Sequence, residues 1–484
     1  MRSYLSLALL CTFACAGSNA NNGPKKTALP PAATPTPPGD MESKKPAAPP
    51  VLIKNATVMT AAGVMHSPGH VLVRDGLIAA VGAGDLPAPA GARVVDGKGM
   101  FVTPGIIDTH SHMGVYALPY MDAHQDGNEM TSPTTAEVWA EHAVWPQDPA
   151  IARAASYGVT TVQILPGSAN LIGGRSAIIK LKPATNARAM RFPGAPQGLK
   201  MACGENPKRV YGEKGRAPAT RMGDIAGFRV AFQSATEYRR KWQVYERDLK
   251  LYNEKKDDQE DPPEAPERDL ALDTLTAMMD GKILLHVHCY RADDMQTMLD
   301  VAQEFGFRIR SFHHAVEAYK LAHRFAEAGV AVSTWADWWG FKMEAFDGIP
   351  QNVALLAAAK GRPLMHSDSS TEVRYLNQQA AKARAAGEQI GLKFSDDEVL
   401  RWVTANPAWA LGIDEKTGTL EVGKMGDVVV WSASPFSVYA RTKLVLIDGE
   451  VIFEDGKPMR PTDFELGTSA VDRGGSRREA EVKL

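Results

Sequence analysis

Four short apolar stretches, far apart in the chain, all end in histidine. They are PGIIDTHSH (104–112), KILLHVHCY (282–290), RIRSFHHAVEAYK (308–320) and RPLMHSDSS (362–370). Ile106 and Ile107 are apolar and β-branched, as a buried strand of a parallel sheet should be, and in each stretch the polar tip falls at the C-terminal end. Side chains alternate faces along a strand, so His110 and His112 share a face, as do His286 with His288 and His366 with Asp368. By the same rule His313 and His314 point to opposite faces, which leaves His313 to packing or to supporting a ligand, and His366 one layer below Asp368, placed to orient it. A lone His-x-His reads equally well as two hydrogen-bonded histidines in a polar pocket. Recurrence at four strand ends calls for a common cause, and a shared metal centre supplies one. Nitrogen and carboxylate donors without cysteine suit Zn²⁺, as one ion or two, ahead of Mn²⁺, Fe²⁺ or Co²⁺.

The stretches fall within a longer alternation of apolar strands and helical patterns, the signature of βα units. Candidate strands are 105–112, 159–165, 177–181, 199–203, 283–288, 308–314, 330–334 and 363–368. Eight of them predict an α/β fold, a (β/α)8 TIM-type barrel over 104–419 with its chemistry at the strands' C-terminal ends. Ser395-Asp-Asp-Glu is a capping box that opens a helix, Asn406-Pro407 restarts it, and Gly412 is placed to end it. A charged insertion, 204–281, breaks the rhythm and reads as a solvated helix followed by a Pro- and acid-rich loop. Short strands with hairpin turns at Asp75-Gly76 and Asp448-Gly449 flank the barrel. Segments 51–103 and 420–465 are therefore expected to join into one small β-sandwich domain, with the barrel inserted between its halves.

Before residue 51 the chain changes character. Arg2 and the apolar run 4–15 resemble a secretory signal (1–20) too short to span a bilayer. Cys15, in TFAC-AG, resembles a bacterial lipoprotein cleavage site, although Thr12 departs from the aliphatic residue preferred there. Plain signal cleavage near 16–20 is the alternative. Residues 21–50 are rich in Pro, Ala and Lys and read as a disordered tether, and 466–484 as a flexible tail. The expected location is exported: periplasmic, or held at the outer membrane by the lipid, which would be the sole membrane contact. A formal net charge of −2 gives no reason to expect nucleic acid as a partner. Cys203 and Cys289 are too few for a disulfide framework and form no Cys-x-x-Cys pair, which argues against a thiolate zinc site and leaves open any role beyond packing.

The order of these elements resembles the amidohydrolase superfamily of metal-dependent hydrolases, and more closely its imidazolonepropionase-related branch, which includes barrel dipeptidases. The likeness runs from residue 51 to about residue 456. It rests on PGIIDTHSH, HHAVEAYK, VTANPAWALGI and GTLEVGKMGDVVVW, of which the last two carry no candidate ligand. The resemblance implies that His110, His112, His286, His314 and Asp368 bind metal. His288 shares a face with His286 and is its rival as ligand. A carboxylated lysine bridging two metals maps onto Lys200 in LKMACGEN, with Lys180 as alternative if the third strand is miscounted.

The expected reaction is hydrolysis of an amide-type C–N bond, in a dipeptide, an N-acyl amino acid or a cyclic amide, by metal-activated water. Asp368 would shuttle the proton and His288 would polarise the carbonyl. Trp335, with Trp338 and Trp339, is a candidate wall for an apolar substrate pocket, and Arg175 or Arg209 for a substrate carboxylate. A homo-oligomer acting on a small-molecule substrate is expected. The alternative is a catalytically inactive barrel serving as an exported binding or scaffold lipoprotein.

Overall fold

Hairpin chemistry shapes the first strands: β1 (Val51–Met59), β2 (Met65–Arg74), β3 (Leu77–Ala83), β4 (Arg93–Asp96) and β5 (Phe101–Pro104). Asp75 and Gly76 turn β2 into β3 with φ of 54° and 78°, the left-handed pair that a two-residue hairpin with the native twist demands. The computed structural model describes residues 48–255, 261–338 and 340–457. The expected signal (1–20), most of the tether (21–50), Trp339 and the expected tail (466–484) lie outside the described residues.

The barrel strands follow: β6 (Ile106–Ser111), β7 (Val159–Ile164), β8 (Ile172–Arg175), β9 (Ala177–Lys180), β10 (Gly198–Ala202), β11 (Leu284–Cys289), β12 (Ile309–His314), β13 (Ala331–Thr334) and β14 (Arg362–Met365). Three more close the chain: β15 (Val428–Trp431), β16 (Thr442–Ile447) and β17 (Glu450–Glu454). Strands from the two chain ends join in one sheet of order β17-β16-β15-β5-β1-β2-β3, with β4 on β1. The join is β15 against β5, antiparallel, with Val430 opposite Val102. Both valines are buried in a cluster with Val51, Ile53, Val71 and Leu446.

Strands β10 to β14 pair as parallel neighbours in chain order, and β6 pairs parallel with β7. One expectation fails here. The third strand does not run parallel: β9 is antiparallel to β7, and β8 antiparallel to β10. The connection from Ile164 to Ile172 is too short for the dozen or more residues that a parallel crossover needs, so the chain can only turn back. With that one reversed strand the architecture is a TIM-type barrel carried beside a β-rich domain.

The insertion after β10 also differs from its sequence reading. Its helix Arg221–Lys255 begins as part of the barrel's cover: Phe228, Phe232 and Ala235 are fully buried, in one cluster with Leu275 and Met298. Their spacing of four and three residues is a helical apolar stripe, diluted in the sequence by charges on the other face. Further along the same helix the rings of Trp242 and Tyr245 meet edge-on at 5.7 Å. Among the described residues no helix is long and apolar enough to cross a membrane.

Lys180 ties barrel to sheet. Its ammonium, on β9, is 3.0 Å from both oxygens of Asp427 and also meets Asp448. Asp427 further accepts from Thr417 Oγ1 and Asp448 N, each at 3.0 Å. Removing one partner of a buried pair leaves an uncompensated charge. Asp427→Ala is therefore expected to lower stability by about 3–5 kcal/mol in chemical denaturation. Glu304→Ala, which breaks an exposed, solvent-screened pair with Arg229, should lower stability far less.

Candidate metal centre

The tips of β6, β11, β12 and β14 converge at one end of the barrel, as their polar ends predict. Two overlapping groups of possible ligands form there: His110, His112 and Asp368, and His110, His314 and His366. Within each group the ligand atoms lie within 4.8 Å of one another. Asp368 sits just past β14 with φ of 52°, a left-handed conformation that turns its carboxylate back over the barrel mouth.

His112 donates Nδ1–H to the Leu165 carbonyl at 2.9 Å. Its other nitrogen, Nε2, faces Asp368 Oδ1 at 3.1 Å. His110 Nε2 approaches the same oxygen at 3.5 Å. Ring nitrogens and a carboxylate oxygen gathered at this spacing are what a cation with bonds of about 2.1 Å requires of its ligands. Burial holds the imidazoles of His110, His288, His313 and His314 well below the usual range, and brings His286 down to about 3 and His366 to about 4. These rings are neutral near pH 7 and free to donate lone pairs. Burial pushes the Asp368 carboxyl up, but the His112 hydrogen bond and the neighbouring positive charges outweigh it and hold the group below its ordinary value. The donor set fits a divalent transition metal.

Lys200, fully buried on β10, places Nζ 3.3 Å from His110 Nε2 and 3.1 Å from the Pro166 carbonyl. Burial lowers its ammonium to about 8. Lys180, the alternative, is committed to Asp427. His286 and His288 fall outside the two ligand groups. His286 Nδ1 is 2.9 Å from His313 Nε2, while its Nε2 and both nitrogens of His288 are buried with no hydrogen-bond partner. Unpartnered buried nitrogens are costly, and donation to an ion is one way to offset that cost.

At β12 and β14 the structure decides between the readings. His313 supports the ligands: its Nδ1 lies 3.0 Å from His110 Nδ1, so the ring bridges His110 and His286. The strand alternation breaks there because His314 and Ala315 take φ of 69° and 39°. His366 joins a ligand group through its Nε2, 3.0 Å from His314 Nδ1. Its two-residue spacing from Asp368 carried that signal.

The proposed substrate contacts fare differently. Trp335 is buried, hydrogen-bonds the Ser367 carbonyl at 3.0 Å and stacks on His314 and His366 at 4.6 and 4.7 Å. It backs the histidines and leaves their front open. Arg175 is buried, bonded to Thr274 and Gln197 and set over Trp139, so it is held inside the protein. Arg209 is exposed on the helix Glu205–Gly212. The open space is a cavity of about 170 Å³ between His112, Tyr116, Tyr120, Gln125 and Asp368. Tyr116 and Tyr120, in the loop after β6, carried no sequence signal that marks them as lining. Cys203 and Cys289, whose role the sequence leaves open, form a disulfide with Cα atoms 5.4 Å apart, which joins the tips of β10 and β11.

The family model described as Amidohydrolase family matches residues 147–453, and the chain belongs to that family. It is 34% identical over 438 residues to the amidohydrolase tasK of Hapsidospora irregularis, covering 84% of this chain and 43% of that protein. The chain thus spans less than half the length of that curated relative. The crystal structure of an amidohydrolase from Thermotoga maritima MSB8 is similar throughout, with a TM-score of 0.75, 34% identity, and coverage of 84% of this chain and all of that one. A triazine hydrolase variant shares the fold at a TM-score of 0.51 and 18% identity, covering 88% of this chain and 99% of its own.

Elemental analysis tests the ligand set. His110→Ala and Asp368→Ala should each lower the metal content per chain of the purified protein, whereas Trp335→Phe should leave it unchanged.

Proposed function

We propose that this chain is an exported, zinc-dependent hydrolase of amide-type C–N bonds, acting on a dipeptide or an N-acyl amino acid. The observation that carries the reading is the anionic Asp368 carboxylate, set against His110 and His112 on the wall of an open cavity. His110, His112 and Asp368 would hold the ion, with His314 and His366 adjoining. When bound, it supplies a water acidic enough to ionise near neutral pH and a Lewis acid for the substrate carbonyl.

The chain's own groups then carry the proton. Asp368 takes it from the attacking water as the new C–O bond forms, and delivers it to the leaving nitrogen as the C–N bond breaks. His288, edge-on to His314 at a ring separation of 4.4 Å, is the group to donate a hydrogen bond to the developing oxyanion. Trp335 fixes the His314 and His366 rings by stacking.

Lys200 enters as a carboxylated ligand. Addition of an amine to CO₂ needs the neutral amine and releases one proton, and an ammonium lowered to about 8 supplies that form readily. The resulting carbamate would replace a costly buried cation with an anion satisfied by metal. Cyclic amides are the second substrate class, in keeping with the imidazolonepropionase-like features of the sequence. Export draws support from the signal-like start of the chain and from the Cys203–Cys289 disulfide, a bond that persists in oxidising compartments. A lipid on Cys15 and a homo-oligomeric assembly belong to the same proposal.

Asp368→Asn should cut kcat at least about a hundredfold on whichever dipeptide or N-acyl amino acid the parent turns over, with metal retained. Near-parental turnover would remove Asp368 from the proton path. About two metals per chain, falling on Lys200→Ala, is the expected result for a bridged pair. About one, indifferent to Lys200, would exclude the carbamate.

A further inference from the structure

The barrel has one seam without a ladder of backbone hydrogen bonds. Strands β8 and β10 to β14 form one sheet and β6, β7 and β9 another, with β8 running on into β9 through Ser176. Between β14 and β6 no strand pairing is present among the described residues. This is also where the two halves of the His110–His112–Asp368 group meet.

Asp108 holds that seam. Its carboxylate is fully buried and accepts three hydrogen bonds: from His110 N at 3.1 Å, Ser367 N at 3.1 Å and Ser367 Oγ at 2.5 Å. One donor belongs to the β6 tip and two to the β14 tip. Next to them Asp368 N donates to the His110 carbonyl at 2.9 Å. Asp368 needs such anchoring because its φ of 52° is unfavourable for a residue with a side chain. A carboxylate offers about four lone-pair sites, enough to take three donors at once, which an amide oxygen cannot match.

We infer that Asp108, acting through Ser367, is a positioning residue that sets the distance between Asp368 and the His110–His112 pair and so tunes how tightly this end of the barrel holds a divalent cation. Asp108 does not itself touch the ion or the substrate. The inference rests on the metal-centre reading above.

The test is the Zn²⁺ dissociation constant of the full chain, measured by competition with a chromophoric chelator, beside the visible spectrum of the Co²⁺-loaded protein. Asp108→Asn should weaken Zn²⁺ binding about 10–100-fold and shift the cobalt spectrum. Ser367→Ala keeps its backbone donor and should weaken binding less, by about tenfold. Thr109→Ala removes another buried hydrogen bond near the seam, Thr109 Oγ1 to Ser333 Oγ at 2.7 Å, and should leave the constant unchanged. A merely structural Asp108 would lower the melting temperature of the metal-free protein while sparing the constant and the spectrum, and that pattern overturns the inference. If Asp108→Asn does not fold, Ser367→Ala decides alone, and parental affinity in that variant overturns it too. A parent that binds no Zn²⁺ overturns the metal centre itself, an outcome distinct from variants that bind as the parent does.

Discussion

Six imidazoles, a lysine and two carboxylates are withdrawn from water at one end of this barrel: His110, His286, His288, His313, His314, His366, Lys200, Asp108 and, partly, Asp368. Each loses hydration that something inside the protein must replace, and a buried charge without a partner costs several kcal/mol. Part of the replacement is internal. The rings shed their protons and bond one another in the chain His110–His313–His286 and in the pair His314–His366. What those bonds leave over, lone pairs aimed at Asp368 and at each other, is the demand that a cation meets.

The surroundings of this cluster follow from that demand. Rigid strand ends carry most of the donors, because a site of ~2 Å bonds tolerates little positional scatter. The Cys203–Cys289 bond joins the tips that bear Lys200 and His288, and Asp108 clasps the tips that bear His110 and Asp368. Trp335 closes the back. The β-rich domain meets the barrel through a second buried electrostatic knot, Lys180 with Asp427 and Asp448. Two lysines on neighbouring stretches of sequence, 180 and 200, thus serve unlike ends: one balances carboxylates between domains, the other faces imidazoles.

Much of this was legible locally. Asp75-Gly76 and Asp448-Gly449 form their turns because two adjacent left-handed residues are a local requirement. Ser395 and Glu398 form the expected capping box. Gly412 takes the left-handed φ of 69° just past the helix Ala405–Ala410. The strands that carry the histidines stand where their apolar runs place them. Strand alternation was reliable for His110 and His112 and failed for His313 and His314, where a left-handed residue resets the phase.

The residue types alone determined that this chain builds a barrel whose strand ends gather nitrogen and carboxylate donors, since burial pattern and strand period are properties of neighbours in sequence. The tertiary structure decided the rest. It chose Lys200 over Lys180 at the histidine cluster, reversed the third strand, paired Cys203 with Cys289, and put Arg175 inside the protein and out of the mouth. Each of these depends on groups brought together from distant parts of the chain, and no local period or propensity records which carboxylate, thiol or carbonyl will stand opposite a given side chain.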